Sequence, residues 1–112
     1  MPLKITQISN YSRSEFKQII KDINNLDSDE VRTTDIFFVD IQGVGKKLDF
    51  QDEGLGLANA LKNKYPNKKV VIYSAENRGD RFHEALKKAD DSLPKNAEPF
   101  QFQQTIENLL HG

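Results

Sequence analysis

The chain is 112 residues long, 37% apolar and 29% charged, which suits one domain, residues 1–112, without separate catalytic and substrate halves. Its 16 basic and 17 acidic residues give a net charge of −1, so we expect no direct nucleic-acid partner, and no apolar stretch approaches the roughly 18 residues of a membrane span. The absence of cysteine excludes thiol catalysis, disulfides and thiolate metal sites, and it fits a cytoplasmic location.

A strand and a helix are predicted at the start of the chain. Residues 4–8 alternate weakly between polar and apolar, which is typical of a short strand. Ser12 and Glu15 have the spacing of a helix capping box. Because apolar residues then recur at three- and four-residue steps, we expect a helix over residues 13–26, followed by a polar loop over residues 27–34.

The middle of the chain contains the clearest strand signal. Residues 36–39 are the apolar run Ile-Phe-Phe-Val between Asp35 and Asp40, and such a run fits a strand buried on both faces. The polar residues 41–53 predict a long loop, a kind of segment that often carries function.

The second half of the chain repeats the alternation of helix and strand. A helix is predicted over residues 55–65, a buried strand over 70–73 and a helix from about Asp80. Residues 92–93 give a weak strand signal, and a last amphipathic helix is expected from Pro99. This order predicts an α/β fold with a parallel sheet and helices on both faces.

Three polar residues are placed at the carboxyl ends of predicted strands, where open parallel sheets bind their ligands. Asp40 follows the second strand, Ser74 ends the third, and Lys95 follows the fourth. A carboxylate, a hydroxyl and an ammonium at one edge could accept a phosphoryl group and bind its oxygens.

Four segments resemble the receiver domains of two-component response regulators, the CheY-like family. Residues 35–40, Asp-Ile-Phe-Phe-Val-Asp, resemble the phosphoacceptor strand, and residues 54–55, Gly-Leu, the start of the following helix. Residues 72–75, Ile-Tyr-Ser-Ala, are similar to the strand that ends in the switch Ser/Thr. Residues 89–95, Ala-Asp-Asp-Ser-Leu-Pro-Lys, resemble the segment that carries the phosphate-contacting lysine. The resemblance covers about the last two thirds of the chain.

The resemblance implies a flavodoxin-like, doubly wound parallel sheet and a regulatory, non-enzymatic module of a two-component phosphorelay. It implies that Asp40 is the phosphoacceptor and a candidate Mg²⁺ ligand, Ser74 the switch hydroxyl and Lys95 the phosphate contact. The expected partner is a histidine kinase or another signalling protein, reached through protein–protein contacts, with a homodimer as a further possibility.

Several positions depart from the family pattern. The family's first strand ends in two acids that help to hold Mg²⁺, whereas Ser9 and Asn10 stand there in this chain. One carboxylate plus an amide makes a poor magnesium site. Ser92 replaces the switch aromatic residue, and Asn96 replaces the proline after the lysine. These differences favour a pseudo-receiver that is not phosphorylated and binds its partners constitutively.

The segment before the acceptor strand is short. Eight residues separate the end of the predicted first helix from Asp35, too few for a standard second strand and helix. We therefore expect a sheet of four strands with this unit shortened or missing, which would leave the first strand as an edge for partner docking.

Other interpretations stay open at this point. Asp40 could simply solvate a strand end, Ser74 could cap the next helix, and Lys95 could be an ordinary surface lysine. A small phosphatase or hydrolase of α/β fold with Asp40 as nucleophile is the alternative function, although Gln42 stands where an Asp-x-Asp phosphatase has its second acid.

Acidic residues in the long loop could supply the missing metal ligands, although such residues more often form a solvated face. They are Asp49, Asp52 and Glu53.

Overall fold

The computed structural model describes residues 3–9, 18–41, 48, 54–74, 87 and 89–111. Eight regular elements lie in these ranges. In chain order they are β1 (Ile5–Ile8), β2 (Gln18–Ile20), α1 (Asp29–Arg32), β3 (Ile36–Val39), α2 (Gly54–Lys64), β4 (Lys69–Ser74), β5 (Asp91–Pro94) and α3 (Pro99–His111).

The strands form one sheet with the order β2-β1-β3-β4-β5, and every neighbouring pair is parallel. In the central pair, Ile5 lies opposite Ile36 and Ile8 opposite Val39, so that β1 and β3 end at the same level. In the last pair, Ser74 lies opposite Pro94. The predicted doubly wound, flavodoxin-like parallel sheet is confirmed.

The helix predicted over residues 13–26 is wrong where the structure describes it. Residues 18–20 form strand β2 and residues 21–26 contain no helix, while residues 13–17 lie outside the described ranges. Ile19 and Ile20 pack against opposite faces of the sheet. Branched side chains suit a pleated strand, and pairing with β1 supplies hydrogen bonds that the local helical spacing could not reveal.

The sheet has five strands, not the expected four. Strand β1 lies between β2 and β3, so the prediction that β1 forms an exposed edge for docking is wrong. The second strand-helix unit, formed by β2 and α1, is nevertheless short, because β2 has three residues and α1 only four. Ser28 caps this short helix by accepting a hydrogen bond from the backbone amide of Val31.

The other strands and helices predicted in the described ranges are confirmed, but the polar loop predicted over residues 27–34 is wrong in part, because residues 29–32 form helix α1. The strands expected at residues 36–39, 70–73 and 92–93 are β3, β4 and β5. The expected helices at 55–65 and from Pro99 are α2 and α3. Most of the predicted loop 41–53 and the helix predicted from Asp80 lie outside the described residues, apart from residues 41, 48, 87 and 89.

Two apolar clusters fill the faces of the sheet. Phe37 and Val39 belong to the cluster under α2, whereas Ile36 and Phe38 belong to the cluster under α3. All four side chains are buried, which explains why β3 is apolar at every position. In the described residues, no helix is long and apolar enough to cross a membrane.

Candidate functional site

Asp40 follows β3 and is almost completely buried, with 3% of its surface exposed. Its backbone amide donates to the carbonyl of Ile8 at 2.9 Å, which continues the ladder between β1 and β3 beyond the last strand residue. This hydrogen bond holds the backbone of Asp40 at the carboxyl edge of the sheet, beside the end of β1.

Lys95 follows β5, and its Nζ atom lies 2.5 Å from Oδ2 of Asp40. Strand β4 lies between β3 and β5, so the lysine side chain spans the end of β4 to reach the carboxylate. The hydroxyl of Tyr73, on β4, donates to the carbonyl of Lys95 at 3.3 Å. The sequence expectation that Asp40 and Lys95 lie at one edge therefore agrees with the observed geometry.

Ser74 is the last residue of β4, and its backbone lies opposite Pro94, the residue before Lys95. The backbone is therefore at the same edge as Asp40 and Lys95. The side chain of Ser74 lies outside what the structure describes, so its predicted switch role stays a prediction.

Ser9 is a direct partner of the candidate acceptor. Its Oγ atom donates to Oδ2 of Asp40 at 3.0 Å, and Ser9 is completely buried. The backbone amide of Ser9 donates to the carbonyl of Ile20 at 3.0 Å, which ties the end of β1 to β2. Sequence reasoning treated Ser9 only as the place of a missing acid. The available signal was its position directly after β1, beside the strand that precedes Asp40.

Gly54 places helix α2 against the backbone of Asp40. A β-carbon at this position would lie 1.7 Å from the carbonyl oxygen of Asp40 and 2.6 Å from Cα of Ile41. The amide of Gly54 donates to the carbonyl of Ile41 at 3.3 Å. Only glycine permits so close an approach, which gives a physical reason for the glycine that opens α2.

The described donors do not fit a magnesium ion. Mg²⁺ requires near-octahedral coordination by oxygen ligands, usually including carboxylates. Asp40 is the carboxylate that the described residues bring to this edge, and its Oδ2 contacts both the Ser9 hydroxyl and the Lys95 ammonium. No group of three metal-ligating side chains occurs in the described residues. Asn10 and the loop acids 49, 52 and 53 lie outside them.

Comparison with known proteins gives matches among solved structures only. No protein-family model and no curated protein matches the chain. The BeF₃-activated receiver domain of DrrB matches over 100% of both chains, with a TM-score of 0.76 and 13% identity. NtrX from Brucella abortus in complex with ADP matches over 99% of this chain and 27% of its own, with a TM-score of 0.74 and 20% identity.

The chain has the receiver fold. A third match is a response regulator from Burkholderia pseudomallei that contains a phosphorylated aspartic acid, a calcium ion and citrate. It covers 91% of this chain and 65% of its own, with a TM-score of 0.59 and 16% identity. At these identities the similarity establishes the receiver fold itself. The chain spans about a quarter of the NtrX chain, 27% of its length.

Proposed function

We propose that this chain is a receiver-like regulatory module of a two-component system, which acts through protein–protein contacts in the cytoplasm. Its partners are a histidine kinase or another signalling protein, with a second copy of the chain as the alternative. The observation that carries the proposal is the ion pair of 2.5 Å between Lys95 and Asp40 at the carboxyl edge of a receiver-type sheet. This edge is the place where parallel sheets bind their ligands.

Within this proposal, the chain is a pseudo-receiver. In a working receiver, a carboxylate oxygen of Asp40 would attack the phosphorus of a phosphohistidine, and the histidine would leave. In this chain Oδ2 of Asp40 already contacts Lys95 and Ser9, and the aspartate side chain is only 4% exposed. This arrangement supports a module that binds its partner without being phosphorylated.

Beryllofluoride tests this state because it mimics a phosphoryl group on aspartate. The ¹⁵N-labelled protein and its Asp40→Asn variant are titrated with BeF₃⁻ or acetyl phosphate in the presence of Mg²⁺, and amide shifts are recorded. We expect no perturbation centred on Asp40 in the wild type. Shifts centred there and lost in Asp40→Asn would show a working receiver, which would overturn the pseudo-receiver assignment but keep the regulatory module.

A phosphatase assay tests the proposal of a signalling module against the alternative that the chain is an enzyme. We expect no steady-state turnover of a generic phosphate ester, because a phosphatase with an aspartate nucleophile usually has a second carboxylate beside it as general acid or base. In the described residues, the groups found on Asp40 are a serine hydroxyl and a lysine ammonium. Turnover that is abolished by Asp40→Asn would replace the signalling proposal with a hydrolase.

A further inference from the structure

Lys95 lies in a tight turn between β5 and α3. The backbone amide of Ala97 donates to the carbonyl of Pro94 at 3.0 Å, so that Lys95 and Asn96 are the two central residues of this turn. Asparagine at position 96 does not restrict the backbone of the preceding residue as a proline would. The direction in which the Lys95 side chain leaves the turn therefore depends on the groups that hold its backbone.

The hydroxyl of Tyr73 is one of these groups. It donates to the carbonyl oxygen of Lys95 at 3.3 Å, across 22 positions of the sequence. Tyr73 is completely buried and belongs to the apolar cluster under α3. A phenol hydroxyl in such surroundings needs a hydrogen-bond partner, and the carbonyl of Lys95 is one. The turn is thus tied to the interior of the protein as well as to its own backbone.

The packing of the Tyr73 ring gives this hydroxyl a fixed position. The ring centroid lies 5.9 Å from that of Phe102, at an interplanar angle of 52°, and the backbone of Tyr73 pairs with Leu93 on β5. Phe102 and Leu93 are both buried, and side chains in a close-packed cluster are held in one orientation. The phenol oxygen is therefore a rigid point to which the backbone of Lys95 is attached.

The ammonium of Lys95 depends on such an attachment. Its Nζ atom lies 2.5 Å from Oδ2 of Asp40, at the end of a long and flexible side chain. Ordering a lysine side chain costs much conformational entropy. A displaced backbone therefore favours release of the ammonium from the carboxylate, whereas a fixed backbone keeps the two groups within reach of each other.

We propose that Tyr73 is a positioning residue of the candidate site: the hydrogen bond from its hydroxyl holds the backbone of Lys95 where the ammonium reaches Asp40. The site thereby extends from the carboxyl edge of the sheet into the cluster under α3, through one phenol group. The inference rests on the proposed function for the choice of this edge as the functional site. The effect of the phenol on the lysine is measurable without a signalling partner.

Exchange of the Lys95 ammonium protons with water, measured by NMR on ¹⁵N-labelled protein, tests the inference. The resonance is identified by its loss in Lys95→Met, and Asp40→Asn gives the exchange rate without the aspartate. Tyr73→Phe removes only the hydroxyl. We expect it to make the exchange about two- to tenfold faster, the range that corresponds to the loss of one hydrogen bond.

Tyr65→Phe is the matched control. The hydroxyl of Tyr65 also donates to a backbone carbonyl, that of Leu26, at 2.6 Å, but Tyr65 follows the end of α2 that lies away from Asp40. We expect the exchange of Lys95 to stay at the wild-type rate in this variant. A general loss of stability would accelerate the exchange in both variants alike, whereas positioning by Tyr73 accelerates it in one.

Three results would overturn the inference. Equal rates in the wild type and Tyr73→Phe, or the same acceleration in Tyr65→Phe, would do so and leave the proposed function intact. A rate that does not respond to Asp40→Asn would overturn both, because the ion pair would then be absent in solution. If Tyr73→Phe does not fold, fluorotyrosine, a stronger hydrogen-bond donor, takes the place of tyrosine. The ¹³C resonance of the Lys95 carbonyl should then shift, and an unchanged resonance is the contrary result.

Discussion

Gly54 and the carbonyl group of Asp40 are in such close contact that the first turn of α2 leaves no space for a β-carbon. The helix thereby buttresses the backbone from which the candidate acceptor side chain projects. Gly54, 14 positions after Asp40 in the sequence, thus helps to hold the end of β3, and the packing of α2 is coupled to the geometry of the site.

Replacement of Gly54 by alanine should destabilise the protein, although alanine normally favours helices. The added methyl group would overlap backbone atoms of Asp40 and Ile41, which cannot move aside as a flexible side chain can. We expect a loss of about 1–3 kcal/mol or more in the free energy of unfolding, measured by urea denaturation. Gly56→Ala, at a half-buried position of the same helix, is the control and should leave stability unchanged or raise it by up to about 1 kcal/mol, because alanine favours helices. Equal effects of the two substitutions would contradict the close contact.

The ion pair between Asp40 and Lys95 should appear as an energetic coupling in a double-mutant cycle. Lys95→Met leaves the buried carboxylate without its cation, and Asp40→Asn leaves the lysine without its anion. We expect the double variant to be more stable than the sum of the single effects predicts, by about 0.5–3 kcal/mol. Chemical denaturation of the four proteins measures this coupling. Strictly additive effects would show that the interaction between Asp40 and Lys95 contributes nothing to the stability of the folded state.

Phe102 should contribute more to the stability of the folded protein than Phe100, the other phenylalanine on α3. Its ring centroid lies 5.9 Å from those of both Phe38 and Tyr73, and the residue is 5% exposed. Truncation of a buried phenylalanine to alanine costs about 3–5 kcal/mol. Phe100 is 65% exposed on the same helix, and its truncation should change stability by no more than about 0.5 kcal/mol. Urea denaturation of both variants checks the contrast, and similar losses would mean that the described packing of α3 is incorrect.

The pair formed by Lys64 and Asp27 should give a local pH dependence. The hydrogen bond from Lys64 to Asp27, at 2.8 Å, raises the pKa of the lysine above its ordinary value of 10.5. Because the pKa is higher in the folded state, the stabilisation is fully present below the unfolded pKa and is lost as pH rises through the folded one. An NMR titration of the Lys64 side chain should show a lower midpoint in Asp27→Asn.

Asp29→Asn is the matched control for this titration. Asp29 is also an exposed acid, but it pairs with Arg32. Its substitution should leave the Lys64 midpoint unchanged. A midpoint that does not respond to Asp27→Asn would show that the exposed pair is absent in solution.

The central strands and the approach of Lys95 to Asp40 could be predicted from the sequence. A continuous apolar run has few alternatives to a strand buried on both faces, and the carboxyl ends of parallel neighbours necessarily lie at one edge. The beginning of the chain was harder to predict. Ile19 and Ile20 fit a helical spacing and a strand equally well, and only their pairing with β1 separates the two.

The first acid of the lysine-bearing segment shows a similar limit. Asp90 was noted only as part of the resemblance around Lys95. In the structure its Oδ2 accepts from the amide of Val70 at 2.8 Å and lies 3.1 Å from Nζ of Lys62. The first contact ties the residue before β5 to the start of β4, and the second ties it to α2. They join residues 20 and 28 positions apart, so no local pattern indicates them.

The sequence by itself determined the parallel α/β architecture, the buried central strands and the edge at which Asp40 and Lys95 meet, because periodicity and chain order restrict how strands can pair. Only the tertiary structure decided that β2 exists, that β1 is internal, and that Ser9 bonds to Asp40. Those outcomes depend on which strand ends lie side by side. That relation is set by hydrogen bonds between backbone groups that are distant in the sequence. The pattern of neighbouring residues does not indicate which of these groups will pair.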